Sequence, residues 1–411
     1  MNLLHPGARV IDAATGETLT PELVDAAADA LAAEPGAVVF HPIATTVPGI
    51  ARYLAALRLG RPVVLLDPEA DNAHWAERFA TDEVHPDLAV LLTTSGSTGN
   101  PKLVRLSRDA VRTNADQIAT VLDIGPDDVA ITTLPLFYSY GMSVLNTHLL
   151  RGATVILERT GIMQRDFWTA VVEHGVTSMA FVPYQYEMLR RLRFDPAKYP
   201  ALRKLTQAGG RLRTDLIADF AQRMATVGGS LSVMYGTTEA APRMATLPPA
   251  RLQEKLGSVG VALPGGSFSV DAASQEVVYR GPNVMMGYAE TAADLARGDE
   301  MGGVLPTGDL GRLDDEGFLF ITGRAKRIGK VFGVRINLDD VEKHFPVAAV
   351  PGDDKLNVFA EGVSEDEARD LRTKIAEWLG THFTGVVVRS IDSLPLLPNG
   401  KIDYRALEAS L

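Results

Sequence analysis

The run Thr93-Thr94-Ser95-Gly96-Ser97-Thr98-Gly99-Asn100-Pro101-Lys102 gathers glycine, hydroxyl and ammonium groups in one short stretch. Glycines let a backbone come close to an anion and turn several N–H groups toward it. The hydroxyls of Thr94, Ser95, Ser97 and Thr98 add donors, and Lys102 adds a compact positive charge. Such a loop suits a polyphosphate. Its spacing is not that of the G-x-x-x-x-G-K-[ST] loop, so that motif does not apply. A bare Gly/Ser/Thr run is often only a surface turn. Here Leu88–Thr93 reads as a buried strand before it, and Ser107 with Asp109 reads as a helix start after it. The eight histidines are scattered with no pair at ligand spacing on one helix, and no G-x-S-x-G elbow is present.

Further groups along the chain fit one nucleotide reaction. Tyr235, in Met234-Tyr235-Gly236-Thr237-Thr238-Glu239, offers a flat face on which adenine can stack. Glu239 is a carboxylate of the kind that holds magnesium together with phosphate and water. Taken alone, either residue is an ordinary core aromatic or a solvated acid. Asp309 sits in the turn Thr307-Gly308-Asp309, where a carboxylate can accept both ribose hydroxyls. Lys401 lies in an Asn399-Gly400 turn that aims its side chain.

Together with Leu134-Pro135-Leu136-Phe137-Tyr138-Ser139-Tyr140-Gly141, Gln207-Ala208-Gly209-Gly210, Gly323-Arg324-Ala325-Lys326, Gly333-Val334-Arg335-Ile336 and Leu397-Pro398-Asn399-Gly400-Lys401-Ile402-Asp403, these motifs resemble, in order and over nearly the whole chain, those of the adenylate-forming superfamily. That superfamily contains AMP-forming acyl-CoA synthetases, peptide-synthetase adenylation domains and luciferases. The resemblance implies ATP and Mg2+ as cofactors. It implies nucleotide contacts from Thr94, Ser95, Gly96, Ser97, Thr98, Gly99, Lys102, Gly209, Gly210, Tyr235, Gly236, Thr237, Thr238, Asp309 and Arg324. Glu239 would hold the metal, and Lys326 would be the interdomain hinge. Lys401, Glu239 and Thr94 would be catalytic, with Lys401 meeting the charge that spreads over the transferring phosphorus. The acid would lie among Tyr138, Tyr140, Phe181, Val182, Tyr184, Ala208, Ala240 and Ala241, which flank the matched motifs. That set holds no cation for a second carboxylate, so an aromatic or medium-sized monocarboxylic acid is expected.

The expected reaction is attack of the acid on the α-phosphate, release of pyrophosphate, and transfer of the acyl group to coenzyme A or a carrier-protein thiol. Alternatives are an amide-forming ligase, activation of an inorganic acid such as nitrite in diazotization, or a catalytically silent nucleotide-binding protein. A kinase or ATPase that uses the same loop would instead yield ADP. The chain is shorter than typical members, abbreviated between Asp67 and Leu88 and from Pro346 to Ala360, and Tyr138 stands at a gate position often held by His. These departures leave the nucleotide motifs intact and fall where the second substrate would meet the protein.

The elements that must position these groups follow from local signals. Thr20-Pro21 and Pro48 open helices, and Gly60 closes the second. Ala37–Phe40, Pro62–Leu66, Thr154–Leu157 and Met179–Val182 read as buried strands, so strand and helix alternate in parallel crossover units. From Gly257 to about Phe320, short strands between Gly, Pro and Asp turns imply an antiparallel, barrel-like subdomain. Ser364 with Glu367 forms a capping box, and Val386–Val388 reads as a strand. The expected fold is therefore α/β: a large N-terminal adenylating domain over residues 1–324 with layered sheets and a barrel-like subdomain, and a small mobile α+β domain over 325–411 carrying the catalytic lysine.

Composition bounds the rest. The chain of 411 residues is 46% hydrophobic and 22% charged, enough for a large core. A net charge of −11 argues against a nucleic-acid partner. With no cysteine, disulfides and thiolate chemistry are excluded. No apolar run reaches the ~18 residues of a membrane span, and no secretory signal is evident at the N-terminus, so a cytoplasmic location is expected.

Overall fold

The computed structural model describes residues 1–93, 102–324, 327–332, 334–398 and 400–411. The chain forms two compact units, one of Met1–Phe268 with Tyr279–Leu305, the other of Ser269–Val278 with Pro306–Leu411. The hinge expected at Lys326 lies outside the described residues.

In the first unit an eight-stranded sheet runs in the order Arg9–Asp12, Thr154–Leu157, Val129–Ile131, Ser178–Phe181, Lys204–Gln207, Ser230–Tyr235, Ala245–Leu247 and Val261–Ala262. Every pairing from Arg9–Asp12 to Ser230–Tyr235 is parallel, and the last two are antiparallel. Helices Ser139–Leu150, Arg165–Glu173, Pro183–Arg191 and Thr214–Ala225 make the crossovers that parallel pairing requires. A second sheet of five strands runs Gly287–Ala289, Leu103–Ser107, Leu88–Thr93, Val63–Leu66, Val39–Pro42. Of the strands expected after Gly257, Ser267–Val270, Glu276–Arg280, Val304–Leu313 and Leu319–Arg324 form a separate four-stranded sheet in that order, and the others join the sheets already described. Val261–Ala262 closes the large sheet, Gly287–Ala289 edges the five-stranded one, and Val304–Leu313 pairs antiparallel with Leu319–Arg324.

Helix Ser139–Leu150 is buried along nearly its whole length, so it lacks the polar stripe of a surface helix. Its Met142, Leu145 and Leu149 cluster with Val104 and Leu106 of the five-stranded sheet and with Val155 and Leu157 of the eight-stranded sheet. Being held on both sides, it is a rigid platform for the residues at its N-terminal end.

The second unit pairs Ile328–Val331 with Val334–Asn337. It also holds a three-stranded sheet of Ala348–Pro351, Leu356–Glu361 and Val386–Ile391. Helix Glu365–Leu379 starts with the expected capping box, Ser364 Oγ accepting from Glu367 N and Glu367 Oε2 from Ser364 N. No helix among the described residues is long and apolar enough to cross a membrane.

The strand Leu88–Thr93 that delivers the Gly/Ser/Thr run pairs antiparallel with Leu103–Ser107, the strand that follows it. Ser107 then caps helix Arg108–Val121, its Oγ accepting from Ala110 N at 3.0 Å. Ser107→Ala should therefore lower the unfolding free energy by about 1 kcal/mol in urea titration, and Ser107→Gly by only a few tenths.

Candidate active site

Residues 94–101, which hold Thr94 to Gly99, lie outside the described residues, as do Lys326 and Asn399. The site is built from what surrounds them, one unit at a time.

At the N-terminal end of the buried helix, Leu134-Pro135 turns back so tightly that a Cβ on Gly141 would lie 2.1 Å from Pro135 O. Only glycine fits there. Tyr138 stands at the cap of that helix and Tyr140 in its first turn, their rings edge to face at 6.4 Å. Burial pushes the Tyr138 phenol up to about 12, against the pull of the Arg243 guanidinium. Gly209 has φ +84°, and a Cβ there would meet the Tyr138 hydroxyl at 2.7 Å and Val182 Cγ1 at 3.0 Å. The turn is closed by Gln207 Nε2 donating to Gly210 O at 2.7 Å. The two motifs that carry Tyr138 and Gly209 are thus in direct contact.

Tyr235 ends strand Ser230–Tyr235, and its ring lies 6.3 Å from that of Phe268. After it the chain folds back on itself. Met244 N donates to Tyr235 O at 2.9 Å, and a Cβ on Gly236 would sit 1.8 Å from Pro242 O. Thr238 is joined to Ser139 through their hydroxyls at 3.2 Å, which sets this turn beside the helix that bears Tyr138. Glu239 accepts from the Thr237 hydroxyl at one oxygen and from the Tyr288 hydroxyl, at 2.8 Å, at the other. Burial, then the Glu239 charge, raises the Tyr288 phenol, so Tyr288 stays a donor at neutral pH. The Lys102 ammonium lies over the Tyr288 ring at 5.7 Å and pairs with Glu290 at 2.5 Å. Both partners of that pair are well exposed, at 32% and 49%, so it holds Lys102 weakly and leaves it available to an anion.

No group of three or more His, Cys, Asp or Glu able to hold a metal is found among the described residues. A lone carboxylate with flanking hydroxyls nevertheless suits magnesium, which takes one or two carboxylates and fills its octahedron with water and phosphate oxygens. Glu239, oriented by two hydroxyl donors, fits that role.

In the second unit, Asp309 and Arg324 are partners across paired strands, with Arg324 Nε 3.2 Å from Asp309 Oδ1. Gly308, at φ +72°, donates to Glu276 Oε1 at 2.9 Å, and Thr307 Oγ1 accepts from Asp309 N at 3.1 Å. Lys401 sits in a tight loop. Leu396 bridges Ile402, Leu397 N donates to Lys401 O at 2.8 Å, and Gly400 has φ +76°.

The residues expected around the acid divide. Tyr140, Val182 and Ala208 join one buried cluster with Ala180 and Met234, against which Tyr138 packs. Ala240 and Ala241 are buried in the main core. Phe181 points the other way, as strand alternation requires after Ala180, and packs on Tyr186 at 5.7 Å. Tyr184 is 43% exposed on helix Pro183–Arg191, whose inward tyrosine is Tyr186. Two residues of evident importance gave no signal in the sequence. Tyr288 couples Glu239 to Lys102, and Arg243 is a buried cation against Tyr140.

Residues 32–289 match the family described as AMP-binding enzyme. The chain is 31% identical to a feruloyl-CoA synthase of an Amycolatopsis species, over 93% of this chain and 80% of that protein. It is 34% identical to an indoleacetate–CoA ligase of Aromatoleum aromaticum, over 60% of this chain and 49% of that protein. The o-succinylbenzoate coenzyme A synthetase from Bacillus subtilis, solved in complex with ATP and magnesium, superposes with a TM-score of 0.76 at 23% identity, covering 97% of this chain and 96% of that one.

The contact between Gly209 and Tyr138 gives a direct test. Gly209→Ala should cost about 2 kcal/mol of stability in denaturant unfolding, from the left-handed φ and the clash together. In a Tyr138→Phe background the same substitution should cost less, because the hydroxyl in the way is gone.

Proposed function

Since the chain belongs to the AMP-binding enzyme family, we propose that it is an AMP-forming acid ligase that condenses an organic acid with ATP and passes the acyl group to coenzyme A, in the cytoplasm. The observation that carries this reading is the convergence of Lys102 and Glu239, far apart in sequence, on Tyr288, Lys102 over its ring and Glu239 at its hydroxyl. An ammonium suited to phosphate and a carboxylate suited to magnesium are thereby held around one side chain, as a nucleoside triphosphate needs.

In this reading Tyr235 stacks on adenine beside the Gly209-Gly210 turn. Lys102, with the hydroxyls and amides of Thr94 to Gly99, holds the outer phosphates. Glu239 would hold magnesium, which would supply positive charge to the phosphate oxygens. Asp309, paired with Arg324 at 3.2 Å, accepts hydrogen bonds from the ribose hydroxyls. The acid, beside Tyr138, Tyr140, Val182 and Ala208, attacks the α-phosphorus. The bond from that phosphorus to its bridging oxygen breaks, and pyrophosphate leaves. Lys401 supplies an ammonium for the charge that gathers on the transferring group. Backbone rotation at Lys326 then removes Lys401, and the thiolate of coenzyme A attacks the acyl carbon and expels AMP. The acids named in the relatives, ferulate and indoleacetate, are aromatic and support an acid of that kind.

Incubation with ATP, magnesium and a panel of acids should yield AMP and pyrophosphate, scored by mass spectrometry. ADP as the product would overturn the proposal in favour of attack at the outermost phosphorus. Lys401→Ala should reduce adenylate formation by roughly 100-fold or more while sparing transfer from a supplied acyl-adenylate. Equal loss in both half-reactions would assign the lysine another role. An acceptor screen with coenzyme A, a pantetheinylated carrier and amines identifies the second step.

A further inference from the structure

The buried cluster around Tyr140 opens into a cavity whose lining includes Tyr140, Ser143, Thr147, Ala180, Met234 and Arg243. Tyr140, one of the residues assigned to the acid under the proposed function, is part of that lining, and Val182 and Ala208 lie in the same buried cluster. Arg243 is 3% exposed, yet no carboxylate among the described residues pairs with it. Its guanidinium lies 4.2 Å over the Tyr140 ring, and Nη2 donates to Ser143 Oγ at 3.3 Å. Its Nε–H has no hydrogen-bond partner. Thr147 Oγ1, fully buried on the same lining, has none either. No described residue lining the cavity is acidic, and the lysine there, Lys204, is already engaged by Asp128 at 3.1 Å.

A buried guanidinium without a counter-ion is a costly feature, and burial lowers its pKa accordingly. Stacking on Tyr140 offsets part of that cost. The residue that carries the remaining donor lines the cavity. Nor is the residue placed by accident. Arg243 O accepts from Asn114 Nδ2 and from Asn283 Nδ2, both at 2.8 Å, and Arg243 N donates to Asn114 Oδ1 at 3.0 Å. Asn283 is in turn fixed by the Tyr279 hydroxyl at 2.7 Å. Both asparagines are fully buried. The backbone that presents the guanidinium is thus clamped from two directions.

We infer that Arg243 determines substrate specificity: the acid activated by this chain carries a second anionic oxygen group, a carboxylate or sulfonate, that pairs with the Arg243 guanidinium over the face of Tyr140. This rests on the proposed function for the location of the acid, and it replaces the monocarboxylic acid expected from residue types alone. That expectation does not include Arg243, which lies beyond the matched motif and whose burial is a tertiary property.

The test compares matched acids that differ only at the distal group: dicarboxylic acids of increasing length, aliphatic and aromatic, each against its neutral half-amide. The full chain is assayed with ATP and magnesium for AMP and pyrophosphate. The diacid of the best-fitting pair should show a kcat/KM about 10- to 100-fold above its half-amide. Arg243→Met should remove that preference by lowering the diacid alone. Arg243→Lys, which keeps the charge, should retain part of it and controls for folding. Equal kcat/KM within every pair, or equal loss of both members in Arg243→Met, overturns the inference and leaves the ligase reading intact. If no acid gives AMP, the ligase reading falls. The inference is then decided by thermal shift: the diacid should raise the Tm of the unmodified chain and not of Arg243→Met, and no shift in either overturns it.

Discussion

Two buried asparagines converge on one carbonyl, and much of the candidate site hangs from it. Asn114, on the helix that follows the Gly/Ser/Thr run, and Asn283 both donate to Arg243 O at 2.8 Å. Asn283 also donates to Ala240 O at 2.6 Å. Backbone groups in a turn have no ladder to satisfy them, and a buried one left unpaired costs about 1–3 kcal/mol. The turn from Tyr235 to Arg243 is irregular and its later half is buried, so it can exist only because side chains from two distant segments supply those bonds. Through this turn the fold orients, in sequence order, Tyr235, Glu239 and Arg243: the ring proposed to stack on adenine, the carboxylate proposed to hold magnesium, and the cation on the cavity lining.

The same economy explains why glycine recurs where the motifs meet. Gly236 allows Pro242 O to approach to within what would be 1.8 Å of a Cβ, and Gly141 does the same for Pro135 O at 2.1 Å. Each contact folds its own segment back on itself, and the two segments then meet where the Thr238 and Ser139 hydroxyls touch. A methyl at either glycine would disturb the local turn that makes this meeting possible. Sequence motifs that look like separate signatures are, in the folded chain, the two sides of single close contacts.

Much of this was legible in advance where local chemistry dominates. Thr20, Ser107 and Ser364 cap helices, and Gly60 closes one with φ +74°, because those interactions lie within a few residues of each other. Leu88–Thr93 is a strand as its apolar run implies. Side-chain direction was less legible. Val182 and Ala208 join the acid-side cluster, whereas Phe181 faces Tyr186 and Tyr184 faces solvent. Residues adjacent in a strand necessarily part to opposite faces, and a set chosen for lying near a motif cannot separate them. Arg243 and Tyr288 were illegible for a different reason. An arginine or tyrosine is most often a surface or core residue, and only tertiary contact with Tyr140 or Glu239 gives either one a chemical part.

The second unit shows how the loop that carries Lys401, the residue proposed as catalytic, is mounted. Arg327, one residue beyond the proposed hinge at Lys326, lies 3.9 Å over the ring of Tyr404, three residues beyond Lys401. It pairs with Asp339 at 2.6 Å and Glu342 at 2.8 Å and donates to Ala349 O at 2.7 Å, while the Tyr404 hydroxyl donates to Glu342 at 2.8 Å. Burial opposes the charge on Arg327, but the bonds to Glu342, with Tyr404 and Asp339 near, outweigh it and raise its pKa, so the clamp is charged throughout the physiological range. Below it, Ile402, Leu394 and Tyr404 pack on Ala348, Val350, Phe359 and Leu407. A turn of the backbone at Lys326 would therefore carry the Lys401 loop with it as a solid piece, since the first side chain after the pivot is bonded to the last element of the loop. Under the proposed function, travel would reside in that hinge and aim in the loop, and an ammonium that must leave a site and return to the same place needs both.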